Sequence, residues 1–358
     1  MDQQGYQSLI TKELKKLPKY ITLYANQPNL ATTTVYQYLT EFRRFFTWLR
    51  QAHNLTVSLE KIDSNKDINL EILENLRTTD INQYLTYLRT QINKQHTTSK
   101  KVTLNRTIKA LRSLYHFLTV TSDFNNGEPY FYRNVMLKIP LEKGTKDTLA
   151  YRNAKFSPLL YTGEKKHKWI NFIEHDYEVN ISTQAHTLFL FNKKRDLAIV
   201  SLLLGSGIRI SELTRLNVKD LDLAQERIYV TRKGGRRDAP LVARWAIPYL
   251  KDYLDIRQEH YGVDKYESAL FLAKRGHQPA KRIATNTVEA LVNRYSTAFG
   301  SRTTPHKLRH SLGTELYEKT KDVMVVATQL GHTGISATDQ YIQEINSDNQ
   351  KEKLNRTS

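Results

Sequence analysis

The sequence predicts a mainly α-helical chain in two domains, with a small antiparallel β-sheet inside the second. Three observations carry this expectation. Apolar residues recur at three- and four-residue steps over much of the chain, which is the spacing of a helix with one buried face. Helix breakers interrupt that pattern between Asn125 and Tyr161, where Asn125, Asn126, Gly127, Pro129, Pro140, Gly144 and Pro158 crowd together. Further on, the period changes to that of strands on either side of Gly234-Gly235. A length of 358 residues suits two domains at about 150 residues each. The expected division is a helical domain over 1–150, a linker over 151–165 and an α+β domain over 166–358.

Taken in order, Val35, Tyr38, Leu39, Phe42, Phe45, Phe46 and Leu49 outline one face of a helix from about Thr33 to Gln51. Asp80 is placed to cap a second helix that buries Ile81, Tyr84, Leu85, Leu88 and Ile92. A third is predicted from about Lys100 to Val120, with Leu104, Ile108, Leu111, Leu114, Tyr115 and Leu118 inside. Beyond the junction, Trp169 to Tyr177 reads as helical, and the apolar run Leu197 to Leu204 stops at Gly205 and Gly207. Ser211 is placed to cap a short helix carrying Glu212. Arg227 to Arg232 and Arg236 to Val242 form the arms of a hairpin, because paired glycines accept the positive φ of a tight turn. Helices resume at Arg244–His260, Thr285–Phe299, Pro305–Lys319, Asp322–Leu330 and around Thr338.

Composition narrows the function. Lys and Arg number 54 against 36 Asp and Glu, a formal net charge of +18. Such an excess points to a polyanion, since each cation that meets a phosphate releases condensed counterions. The charge is uneven: Ile81 to Ser122 holds no acid but seven cations, Arg89, Lys94, Lys100, Lys101, Arg106, Lys109 and Arg112. The absence of cysteine excludes disulfides, zinc-thiolate centres and thiol nucleophiles. No apolar run approaches the roughly 18 residues of a membrane span, and Met1 to Ile21 lacks the apolar core of a secretory signal. A cytoplasmic, nucleic-acid-binding protein is expected.

Four segments carry candidate chemistry: GSGIRISEL from Gly205, YVTRKGGRRDAPL from Tyr229, HKLRHSLGTELY from His306 and QLGHTGISATDQYI from Gln329. Cleaving a phosphodiester with an enzyme hydroxyl requires a nucleophile, cations for the non-bridging oxygens and an acid for the departing oxygen. Arginine suits the clamp because its planar fork bonds phosphate bidentately and stays charged. Arg209 and Arg309 fit that role. Lys233 follows Arg209 by 24 residues, and Tyr341 follows His332 by nine. Arg232, Arg236 and Arg237 share the hairpin of Lys233, so which cation reaches the leaving group stays open at this level. His306 and His310 stand four apart, but Lys-Leu-Arg between them lacks the glutamate of HExxH, which argues against a zinc hydrolase. Gly205 and Gly207 do not make a phosphate loop, and Glu212 and His310 are read as supports.

In joint order and spacing these segments resemble the tyrosine recombinase (phage integrase) family over about Lys193 to Tyr341, and within it the Xer recombinases of the single-protein XerS type. The resemblance implies that Tyr341 forms a 3′-phosphotyrosine, Lys233 is the general acid, His306 assists proton transfer, His332 bonds the phosphate, and no metal, ATP or other cofactor is needed. It also implies a helical core-binding domain that closes with the catalytic domain as a C-shaped clamp on double-stranded DNA. Lys100, Lys101, Arg106, Lys109 and Arg112 are then candidate DNA contacts, with Lys274, Arg275, Lys281 and Arg282 opposite. The family assembles homotetramers on two sites, in which the tail Gln343 to Ser358 would dock on a neighbour, and a DNA translocase is an implied regulator. The implied task is resolution of chromosome dimers at a dif-like site. An integrase of a mobile element, a type IB topoisomerase and a non-cleaving DNA-binding protein on the same fold are the alternatives.

Overall fold

A computed structural model describes residues 3–57, 62–94, 100–124, 126–142, 151, 157–232 and 234–331. The chain divides into two units, Met1–Lys146 and Asp147–Ser358, each with its own core.

In the first unit the helices are α1 (Gln3–Leu14), α2 (Tyr20–Ala25), α3 (Thr32–Gln51), α4 (Leu70–Asn75), α5 (Thr78–Lys94) and α6 (Lys100–His116). Helix α3 buries Val35, Leu39, Phe42, Phe45, Phe46 and Leu49 as its spacing predicts, while Tyr38 is only half-buried. Helix α5 starts two residues before Asp80. Asp80 acts from inside the first turn, where its buried carboxylate accepts from the Arg77 and Thr56 amides at 2.7 and 2.9 Å and from the Thr56 hydroxyl. It holds the helix start without being the cap residue. Ile81, Tyr84, Leu85 and Leu88 are buried; the side chain of Ile92 lies outside the described residues. Helix α6 buries Leu104, Ile108, Leu111, Leu114 and Tyr115, and continues as a π-helical turn over Phe117–Thr121 that buries Leu118.

Charge joins α3 to α6. Glu41 is 2% exposed and accepts from Arg106 at 2.8 Å, from the Thr107 hydroxyl at 2.8 Å and from Arg44 at 3.2 Å. A buried carboxylate persists only when its lone pairs are filled in this way.

In the second unit α7 (Gly163–Asn171) runs into a π-helical turn over Phe172–Asp176 and a 3-10 turn over Tyr177–Asn180. Helix α8 (Thr183–Ser206) follows, started by the Ser182 side chain and stopped by Gly207 in the left-handed region. Every residue from Leu197 to Ser206 is buried, so α8 is the central helix and shows no polar face there. Around it come α9 (Ile210–Leu213), α10 (Ile247–Tyr261), α11 (Thr285–Ala298), α12 (Pro305–Thr320) and α13 (Val323–Leu330). The helix predicted around Thr338 lies outside the described residues. Ser211 does not cap α9. Arg209 occupies the cap position, and its amide donates to Glu212.

The β structure consists of three separate two-residue antiparallel ladders among the described residues, β1 (Leu221–Asp222) with β2 (Arg227–Ile228), β3 (Val230–Thr231) with β4 (Arg237–Asp238), and β5 (Leu272–Ala273) with β6 (Lys281–Arg282). One sheet does not form because the arm from Arg227 to Thr231 changes partner halfway. Its start pairs with β1, the Tyr229 amide bonds Asp220, and its end pairs with β4. Gly234 and Gly235 take φ of +86° and +84°, as a tight turn between β3 and β4 demands.

Candidate active site

Four helix ends and the hairpin build the site within the second unit. Gly207 ends α8 with φ +66°, and a Cβ there would stand 2.7 Å from Leu330 Cδ2 and 2.9 Å from Leu312 Cδ2. Glycine is therefore required both for the backbone turn and for the approach of α12 and α13. The chain reverses and presents Arg209 at the head of α9. Glu212 fixes it twice: Oε2 accepts from the Arg209 amide at 2.7 Å and Oε1 from its Nη1 at 2.8 Å. The Arg209 side chain stays 35% exposed, while Glu212 is buried at 3%.

Helix α12 begins with Thr304, whose side chain accepts from the Lys307 amide, and with Pro305 in the first turn. One turn in, His306 and Arg309 share a face. Arg309 is 3% exposed; its Nη1 donates to Gly207 O at 2.6 Å and its Nη2 to Leu330 O. A single guanidinium thus pins the turn that leads to Arg209 and the last carbonyl of α13, two residues before His332. The His306 imidazole is pushed below its usual pKa, first by withdrawal from water and then by the positive charges of Arg309 and Arg209. Burial and the two arginines thus act in the same direction on this imidazole, favouring its neutral form. His310 stands behind it, with Nε2 atoms 3.1 Å apart.

The hairpin enters through Arg232, 2% exposed, with Nη1 on Glu212 Oε2 at 2.8 Å, Nε on Asp238 Oδ2 at 2.8 Å and Nη2 on Gln329 O at 3.2 Å. Fully engaged in this way, Arg232 is no rival to Lys233 as a proton donor. Arg236, just before β4, and Arg237, its first residue, are exposed. Gln329 adds a second tie: its Nε2 donates to Ser206 O at 2.9 Å and Leu241 O at 2.8 Å, and its Oε1 accepts from the Leu241 amide at 3.2 Å.

The structure therefore brings together Arg209, His306 and Arg309 from distant parts of the sequence. Lys233, His332 and Tyr341 lie outside the described residues, as does the tail from Gln343. Among the described residues there is no group of three or more His, Cys, Asp or Glu side chains arranged to hold a metal, and no helix long and apolar enough to cross a membrane. The sequence offered Arg232 only as a rival of Lys233 and gave Gln329 no role beyond opening its motif. Nothing in spacing marks a buried arginine inside a hairpin rich in exposed ones, and the glutamine carries no charge to draw notice.

The candidate DNA contacts separate by what their side chains do. Lys109 is exposed on α6. Arg106 is 44% exposed but paired with Glu41. Arg112 donates to Ile139 O and is half-buried, so its guanidinium braces the chain after α6. Lys100 and Lys101 open α6, and their side chains lie outside the described residues. In the second unit Arg275 and Lys281 are exposed and Lys274 is half-buried. The Arg282 guanidinium donates to Leu216 O at 2.7 Å, Asn217 Oδ1 at 2.6 Å and Thr214 O at 3.2 Å, which ties β6 to the segment after α9.

Comparison with known proteins shows which family the chain belongs to. The phage integrase family pattern matches residues 171–347. Tyrosine recombinase XerS of Streptococcus thermophilus (strain ATCC BAA-491 / LMD-9) is 42% identical over 352 residues, covering 96% of each chain. That of Streptococcus uberis (strain ATCC BAA-854 / 0140J) is 41% identical over 353 residues, 96% of this chain and 97% of the relative. Among solved structures, XerH site-specific recombinase bound to difH substrate superimposes with a TM-score of 0.60 at 20% identity, over 94% of this chain and 86% of that one. A lambda integrase dimer bound to a COC′ core site gives 0.55 at 15% identity, over 94% and 76%. The structural matches speak for the fold. The near full-length identity to the XerS relatives settles the kinship, and the chain belongs to the phage integrase family of tyrosine recombinases.

Proposed function

We propose that this site-specific tyrosine recombinase cuts and rejoins double-stranded DNA with Tyr341 as nucleophile, and that its task is resolution of chromosome dimers at a dif-like site. The observation that carries the chemistry is the Arg309 guanidinium, bonded at once to Gly207 O and Leu330 O, so that the segments leading to Arg209 and His332 meet over one helix face. In the proposed step the Tyr341 Oη bonds the scissile phosphorus while the bond to the 5′ oxygen breaks. Neutral His306 takes the phenolic proton, and Lys233 gives a proton to the departing oxygen. Arg209 and Arg309 hold the non-bridging oxygens, and His332 donates to one of them. The phosphotyrosine conserves the bond energy, so a 5′ hydroxyl of the partner strand reverses the step, and neither metal nor nucleotide enters the balance.

Likeness to XerS relatives supports the dif-like site, and the solved relatives bound to recombination sites support assembly on DNA, here as a homotetramer on two sites. In the first unit Lys109, Lys100 and Lys101 of α6 are proposed to meet the phosphate backbone, as are Arg275 and Lys281 in the second. Work on chromosomal DNA implies the cytoplasm, and a DNA translocase is the proposed regulator. The test is a supercoiled plasmid carrying two dif-like sites in direct repeat, incubated with the protein and a chelator. Two resolved circles with wild type, and none with Tyr341→Phe, are expected. Relaxation of a site-free plasmid without resolution would favour the topoisomerase alternative, and binding without either product would favour a non-cleaving protein.

A further inference from the structure

We infer that Arg232 is a positioning residue for Arg209, acting through the carboxylate of Glu212 that the two arginines share. The three side chains come from two segments far apart in sequence. Arg232 sits at the end of a hairpin arm, Glu212 inside α9 and Arg209 at its head. Glu212 Oε2 receives Arg232 Nη1 at 2.8 Å and the Arg209 amide at 2.7 Å, and its Oε1 receives Arg209 Nη1 at 2.8 Å. A carboxylate that grips an arginine by both backbone and guanidinium can direct it only if the carboxylate is itself immobile. Arg232 supplies that immobility, because its remaining nitrogens are anchored on Asp238 across the hairpin and on the Gln329 carbonyl at the end of α13.

Two further facts argue against a purely structural role. Burying a guanidinium is costly, and well-packed apolar side chains commonly serve stability as well or better than a buried ion pair. What an arginine adds is direction, because its rigid planar fork fixes several partners at set angles. The fit is also tight on the side of α13. Gly331 has φ +64°, and a Cβ there would lie 2.5 Å from Arg232 Nε and 2.8 Å from Asp238 Oδ2. The chain leading to His332 therefore runs directly over the guanidinium, so a longer or bent side chain at 232 has no room to adjust.

The inference rests on Arg209 as a clamp for a non-bridging phosphate oxygen, and the test separates the two. Strand cleavage is measured on a suicide substrate with a normal scissile phosphate and on one with a methylphosphonate there, which lacks the charge that Arg209 neutralises. Arg232→Met is expected to bind the site within about threefold of wild type and to lose about 100-fold in cleavage of the normal substrate. On methylphosphonate most of that deficit should vanish, as it should for Arg209→Ala. Asp238→Asn removes one anchor of Arg232 and should show the same pattern at smaller amplitude, and it decides the matter if Arg232→Met does not fold. Unchanged cleavage, or an equal deficit on both substrates while Arg209→Ala is rescued, would overturn the positioning role alone. Failure of Arg209→Ala to be rescued would instead overturn the clamp assignment.

Discussion

His306 is the residue proposed to take the phenolic proton. Its depressed pKa follows from withdrawal from water and from two nearby guanidinium groups, so the imidazole remains neutral to lower pH than a free histidine. Burial makes the largest contribution, and the two charges add to it with the same sign. In Arg209→Met one of them is gone, and the His306 titration followed by NMR should move upward, toward the usual value near about 6.5. An unmoved titration would mean that Arg209 does not act on this ring. The residues legible in the sequence were those whose type is uncommon in a core or whose spacing is constrained, namely Arg209 after a glycine turn and His306 and Arg309 on one helix face. Glu41 and Glu142 were invisible as partners of the acid-free stretch, because they stand far away in sequence. Glu41 pairs with Arg106 and Glu142 with Arg89, so part of that stretch is neutralised within the fold.

Among the elements, the junction of α8, α12 and α13 is the most constrained. Gly207→Ala would combine a disfavoured positive φ with a Cβ lodged 2.7 Å from Leu330 Cδ2. A loss of about 2–4 kcal/mol in urea unfolding is expected, whereas a cost below about 0.5 kcal/mol would show that the turn relaxes freely. Helix α7 is tied to α12 by Lys166, whose Nζ lies 2.7 and 2.6 Å from the Glu315 oxygens, with Lys319 at 2.8 Å. Those bonds hold the Glu315 carboxyl below its ordinary pKa although burial opposes them. A depressed carboxylate contributes stability above its unfolded pKa and loses it as pH falls through the folded one. Wild type should therefore lose more stability between about pH 5 and about pH 3 than Glu315→Gln, which at neutral pH should be weaker by about 3 kcal/mol because buried Lys166 is left without a counter-charge. Helices and the glycine hairpin were readable from periodicity and turn chemistry. The three separate ladders were not, because the change of partner at Tyr229 is made by backbone bonds to Asp220 that no side-chain pattern records.

For the whole molecule, a net charge of +18 predicts affinity for DNA that falls steeply with salt. The structure sorts which cations contribute. Lys109→Ala on the exposed face of α6 should reduce the slope of log K against log salt by about 1 without changing the melting temperature. Arg112→Ala should do the reverse, since its guanidinium bonds Ile139 O within the first unit. If both variants alter the slope equally, the division drawn between binding and bracing cations fails. The most direct test of the central claim is chemical. A suicide substrate nicked beside the crossover of a dif-like site is incubated with the protein in chelator, the covalent product is digested, and the DNA-bearing peptide is identified by mass spectrometry. The account predicts one adduct, a 3′-phosphate on Tyr341, absent from Tyr341→Phe. An adduct on another residue, or strand cleavage without any covalent intermediate, would contradict it.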